Sequence, residues 1–186
     1  LLLAATIIAL VLMSVLAGHA GSVEAAPLVV DSTANVSDDN PGDGTCATSG
    51  GECTLRAAIE EANALAGDDV ITVPAGIYTV QGEIAIHSIV TITGASAAST
   101  IIQAAATPGT ANHRVFSVSS GGDVSISAVT IRNGNRADNG AGIENFGSLT
   151  VSDSTFSDND SGNTRHGGAI YNATGANLVV LRSTSD

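Results

Sequence analysis

Lysine is absent from this chain, and six arginines stand against 18 Asp and Glu in its 186 residues. The resulting net charge of -12 argues against nucleic-acid binding by phosphate neutralisation and against docking on an anionic membrane. Tryptophan is also missing, and three Phe and two Tyr are too few to build a core, so the core must be aliphatic. Only two cysteines occur. Without a neighbouring His they cannot form a four-ligand zinc site, and their spacing is not the Cys-x-x-Cys of redox catalysis. Extended helical periodicity is scarce. Val, Ile and Thr instead recur in short runs between Gly, Asn, Asp and Ser, which predicts many short strands joined by tight turns.

The first 17 residues, LLLAATIIALVLMSVLA, carry no charge and lead through Gly18-His19-Ala20 to a small-x-small site at Val23-Glu24-Ala25. Residues 1–25 therefore read as a secretory leader cut after Ala25, N-terminally incomplete because an initiator Met and a basic start are lacking. An uncleaved anchor is the alternative. Behind an export signal an even cysteine count predicts a Cys46–Cys53 disulfide. Asp38, Asp39 and Asp43 lie in a turn-rich stretch that does not fit the EF-hand loop, so a plain turn is expected there. Calcium is the one cofactor that the acidic segments admit, and none is expected.

Thr54 to Ala64 is the one expected helix, with Leu55, Ala58, Ile59 and Ala62 forming an apolar stripe and Glu60 and Glu61 assigned to water. A strand, a Pro-Ala-Gly turn and a second strand follow over 68–80. Cys53-Thr-Leu-Arg-Ala-Ala-Ile-Glu-Glu-Ala-Asn63 resembles the CSLREA-type N-terminal region of exported bacterial parallel β-helix proteins, departing from its pattern at Thr54 and Ala57. The resemblance implies that residues 26–80 form a cap with a short capping helix and that 81–186 hold the coils of a β-helix, truncated at the C-terminus.

Three columns of apolar residues support this reading directly. Phe116, Ile143 and Ile170 are separated by 27 and 27 residues; Val124, Leu149 and Leu178 by 25 and 29, with Ile126, Val151 and Val180 two residues later. Ile131 and Phe156 each follow the second column by seven residues. Three strands per repeat of this length predict an all-β solenoid, a right-handed three-faced parallel β-helix. The connections from the third column back to the first are longer and vary, so the loops Asn133 to Gly140 and Asp158 to Gly167 should stack on one face. Asn135, Arg136, Asp138, Asp160, Arg165 and His166 are the candidate interaction residues there. Asn133, Asn145, Asn159 and Asn172 are expected to bond turn backbone or to ladder between coils.

Phe156, Asn159, Gly167, Gly168, Ala169 and Ile170 match, position by position, the repeat of the chlamydial polymorphic outer-membrane proteins, which this segment resembles. The copy one period earlier is degenerate, with Gly134 in the place of Asn and Gly-Ala-Gly-Ile for Gly-Gly-Ala-Ile. The resemblance implies a secreted or cell-surface bacterial protein, outer-membrane or cell-wall associated, that acts in adhesion or extracellular interaction on a glycan or surface protein. No membrane binding by the mature fragment is expected.

Catalytic residues are not expected. Neither His-Glu-x-x-His nor Gly-x-Ser-x-Gly occurs, and Asp153 with Arg182 reads as a surface ion pair. Asp158, Asp160, Arg136, Arg165 and His166 carry the mixed charge of a solvated surface. The competing reading is a carbohydrate-active β-helix enzyme, a polysaccharide lyase or glycoside hydrolase, which needs paired carboxylates or an acidic cluster beside a base.

Overall fold

The computed structural model describes residues 27–162 and 166–186; the expected leader, and Arg165, lie outside the described residues. Fifteen strands, numbered along the chain, form three all-parallel sheets. The first holds β1 (Leu28–Val29), β2 (Asp68–Val73), β5 (Ile89–Gly94), β8 (Asp123–Ser127), β11 (Ser148–Ser152) and β14 (Asn177–Leu181). The second holds β4 (Ile84–Ile86), β7 (Phe116–Val118), β10 (Ile143–Asn145) and β13 (Ile170–Asn172). The third holds β3 (Gly76–Thr79), β6 (Thr100–Gln103), β9 (Thr130–Arg132), β12 (Thr155–Ser157) and β15 (Thr184–Ser185). From β2 onward the chain visits the first, third and second sheets in turn, an order that fits a parallel β-helix.

All three expected columns occur in register. Ile143 pairs with Phe116 and Ile170, Leu149 with Val124 and Leu178, and Phe156 with Ile131. Alternation along each strand turns these residues toward the core, where Phe116, Ile131 and Ile143 are completely buried and Val124, Leu149 and Phe156 nearly so, while Ile170 is partly buried and Leu178 exposed. Each buried side chain stabilises by roughly 1.5–3 kcal/mol relative to exposure. The columns also reach further back, to Ile84, Val90 and Ile102. The seven-residue spacing does not: 12 residues separate Val90 from Ile102, which hid the earlier turns from the periodicity.

Bends are made by residues held in the left-handed region. Ala128, Asp153 and Arg182 (φ 58°, 50° and 46°) occupy one corner on successive turns, and Asn133 and Asp158 (φ 59° and 52°) the next. Non-glycine residues adopt this conformation rarely, so its recurrence marks a bend geometry imposed by the stack. At the first corner Arg182 donates to Asp153 from Nε and Nη2, at 2.7 and 2.6 Å, making the expected surface ion pair. The asparagines act as expected: Asn145 Nδ2 donates to Asn172 Oδ1 and to the Asn177 carbonyl, and Asn159 Nδ2 to the Ile131 carbonyl one turn below.

One helix, α1 (Leu55–Ala64), precedes β2. Thr54 caps it by accepting from the Ala57 amide at 3.0 Å, so the departure from Ser in the CSLREA-type pattern keeps the necessary hydroxyl. Leu55, Ala58, Ile59 and Ala62 are buried in the shared core, and the Cys46–Cys53 disulfide closes the loop before the helix. Asp38 and Asp43 are spent on their own turn: Asp38 accepts from the Asn40 and Ala47 amides, and Asp43 from the Thr45 amide. The assignment of the two glutamates to water is corrected. Glu60 is half-buried and accepts from Ser37 Oγ and the Asp38 amide, while Glu61 is completely buried. Its two oxygens each take an amide, from Gly42 and Gly44 at 2.5 Å, because positive φ at both glycines turns their N–H groups onto the carboxylate.

Candidate functional site

The outward faces of the second sheet carry one residue per turn, in register: Ala85, Ser117, Glu144 and Tyr171. Each follows an inward residue of the first apolar column by one position. Beside this row lies Arg114, only 4% exposed. Its Nη1 touches Glu83 Oε2 at 2.8 Å and Glu144 Oε2 at 2.5 Å, so one guanidinium nitrogen joins carboxylates from different turns. Arg114 Nε donates to the Gly140 carbonyl at 3.1 Å and Nη2 to the Asn139 carbonyl at 3.0 Å. Ser117 Oγ donates to the other oxygen of Glu83 at 2.8 Å.

Burial pushes the Glu144 carboxyl above the usual carboxylate range. Arg114 opposes the shift, Asp138 and Glu83 add to it, and Arg136 opposes it. The native state therefore holds this proton longer than the unfolded chain does, and stability falls as pH rises through the interval between the ordinary and the raised value. Glu144→Gln is expected to gain stability relative to wild type between pH 4 and pH 7, read as a shift of the urea midpoint; an equal difference at both pH values would exclude the effect.

The two long loops join this cluster. Asn135 and Asp160 form a parallel bridge, the Arg136 amide donates to the Asp160 carbonyl at 3.1 Å, and the Asp160 amide to the Gly134 carbonyl at 2.8 Å. Further along, the Gly140 amide donates to the His166 carbonyl and the His166 amide to Asn139 Oδ1, both at 3.0 Å. The loops thus stack on one face. Arg136 and Asp138 act electrostatically on Glu144, so these two of the expected interaction residues adjoin the Arg114 cluster. Asn135 is turned the other way, donating through Nδ2 to the Gly109 carbonyl at 2.8 Å. Asp160 accepts from the Gly162 amide and lines an acidic hollow with Asp158 and Asp186.

No family model matches the chain, and no curated protein or solved structure matches it. The chemistry must be judged from the site alone. A carboxylic acid that protonates a leaving group, or a carboxylate that attacks, has to face its ligand. Glu83 and Glu144 instead face the same buried guanidinium. Among the described residues no group of three or more His, Cys, Asp or Glu could hold a metal ion, and no helix is long and apolar enough to cross a membrane.

Glu83, Arg114 and Glu144 escaped the sequence analysis because it followed inward residues. The signal was present: adding one position to Phe116, Ile143 and Ile170 gives Ser117, Glu144 and Tyr171. Arg114, which ends an insertion of variable length before β7, had no such offset.

Proposed function

We propose that this chain is part of an exported bacterial protein built as a right-handed parallel β-helix, in which α1 and the disulfide-closed loop cap the first turn. Its stacked loops bind an extended extracellular partner, a glycan or surface protein, without chemistry. The observation that carries the reading is the pair of loops locked to each other by backbone bonds and continuous with the Arg114 cluster. A rigid stack presents polar groups at a fixed repeat, so weak contacts act together on an extended partner. The resemblance to the CSLREA-type region and to the outer-membrane repeat agrees with a surface location.

Replacing both loops, Asn133 to Gly140 and Asp158 to Gly167, by Gly-Ser sequence is expected to retain the β circular dichroism and reduce adhesion of cells that display the full-length protein. Undiminished adhesion would count against the proposal. The carbohydrate-active reading is kept alive by one observation, the two carboxylates of Glu83 and Glu144 meeting on one face. Release of unsaturated or reducing sugar by the wild-type chain, abolished by Glu144→Gln, would decide for it.

A further inference from the structure

Gly82, His113, Asn135 and Asp160 lie on four successive connections from the third sheet to the second, and each is tied to the next. The Gly82 amide donates to His113 Nε2 at 3.2 Å, the Asn135 amide donates to the His113 carbonyl at 3.1 Å, and Asn135 bridges to Asp160. Asn135 takes a second hold on the loop that carries His113, through the Gly109 carbonyl. The upper two links join backbone to backbone. The lowest depends on an imidazole, and its state can be read from the contact. A backbone N–H only donates, so Nε2 accepts with its lone pair, and the ring is neutral with its proton on Nδ1, which donates to the Arg114 carbonyl at 2.9 Å.

A proton on Nε2 would turn this acceptor into a second donor facing the Gly82 N–H, and the contact would be lost. Histidine is the side chain whose charge changes between about pH 5 and 8. His113 is half-buried, so solvent protons can reach it. Charged groups stand on every neighbouring element. Arg114 follows His113 in the chain, Glu83 follows Gly82 and binds Arg114, and Arg56 on α1 donates to the Gly82 carbonyl at 2.8 Å. Glu144 on β10 shares Arg114, and Arg136 and Asp138 lie just beyond Asn135 in the loop above.

We propose that His113 is a pH-operated clasp at the foot of the loop stack. The neutral ring holds Gly82 and keeps the four connections tied; protonation of Nε2 in mild acid releases Gly82 and loosens the loop that anchors Asn135. One proton is exchanged with solvent and no covalent bond changes. The link is present above the histidine range and is lost as pH falls through it. Glu144 acts in the opposite direction, because its raised carboxyl favours the native state as pH falls, so the two effects are separable. As regulation of a binding face the inference rests on the reading of the loops given above, and partner binding would weaken in mild acid; the release of Gly82 stands or falls without that reading.

The test is NMR of the whole chain, wild type and His113→Gln, at about pH 8 and about pH 5. Glutamine places an amide oxygen near the position of Nε2 and does not titrate, so it is expected to keep the Gly82 contact at both pH values. The imidazole nitrogen shifts should show the proton on Nδ1 at the higher pH and a cation at the lower. Exchange of the Gly82 and Asn135 amides, corrected for its intrinsic pH dependence, should become about three- to tenfold faster in acid in the wild type, the scale of one hydrogen bond, and should not change in His113→Gln. A proton on Nε2 at the higher pH, a ring still neutral at the lower, a cationic ring with Gly82 equally protected, or the same acid effect in His113→Gln would each overturn the proposal. The first three are read from the wild type alone, so a variant that fails to fold does not shield it.

Discussion

Arg114→Met is expected to lower the unfolding free energy by about 3–5 kcal/mol, the loss typical when one partner of a buried ion pair is removed and the other stays behind. Methionine fills much of the same volume, so the loss is electrostatic rather than a cavity. It strands Glu144, whose side chain is 12% exposed, and Glu83 at 29%, and leaves the Asn139 and Gly140 carbonyls without their donors. The double substitution Arg114→Met with Glu144→Gln should recover part of the loss, because the more deeply buried carboxylate is then neutral. Urea midpoints at pH 7 read both effects. A loss under about 1 kcal/mol, the scale of an exposed ion pair, would mean that Arg114 only decorates the surface.

Gly134→Asn restores the residue that the repeat pattern asks for, yet it is expected to destabilise by about 2–3 kcal/mol, the scale of overpacking. Even a Cβ at this position would lie 1.9 Å from the Ala141 carbonyl oxygen and 3.0 Å from Asn159 Oδ1, and most of the clash is with backbone that cannot rotate away. The amide function is already supplied from one residue earlier, where Asn133 Nδ2 donates to the Ala105 carbonyl at 2.7 Å. Asn159 then reaches down to accept from the Gly134 amide at 3.0 Å. The substitution should also loosen the Asn135 to Asp160 bridge, visible as faster exchange of the Asp160 amide. A variant as stable as wild type would show that the first loop can shift to admit a side chain.

The degenerate repeat therefore has a physical cause that spacing alone did not reveal. What spacing did reveal was the inward skeleton, because Phe116, Ile143 and Ile170 obey a nearly constant offset and apolar burial rewards each of them in the same way. Register at earlier turns was not legible, since the loop between β6 and β7 changes length and the bend from β5 to β6 is longer than later ones. Glu61 was misplaced because helical periodicity reports which face is apolar, whereas its burial depends on two glycine amides 17 and 19 residues away. That Arg114 joins Glu83 and Glu144 was not legible for the same reason: its ligands are 30 and 31 residues distant and meet only through the register of the sheets. The disulfide, by contrast, required only the cysteine count and the leader.

The loop stacking also bears on chemical ageing. Asn133-Gly134 and Asn139-Gly140 are the sequence type most prone to deamidation, in which the glycine nitrogen attacks the asparagine side-chain carbonyl to close a succinimide ring. Both of those nitrogens are occupied by the turn above, the Gly134 amide by Asn159 Oδ1 and the Gly140 amide by the His166 carbonyl. Asn133 is in addition 2% exposed and tethered through its own amide. While the turns stay stacked, neither nitrogen can approach its target, so the two most perishable bonds in the loop face are preserved by the same contacts that hold it in register.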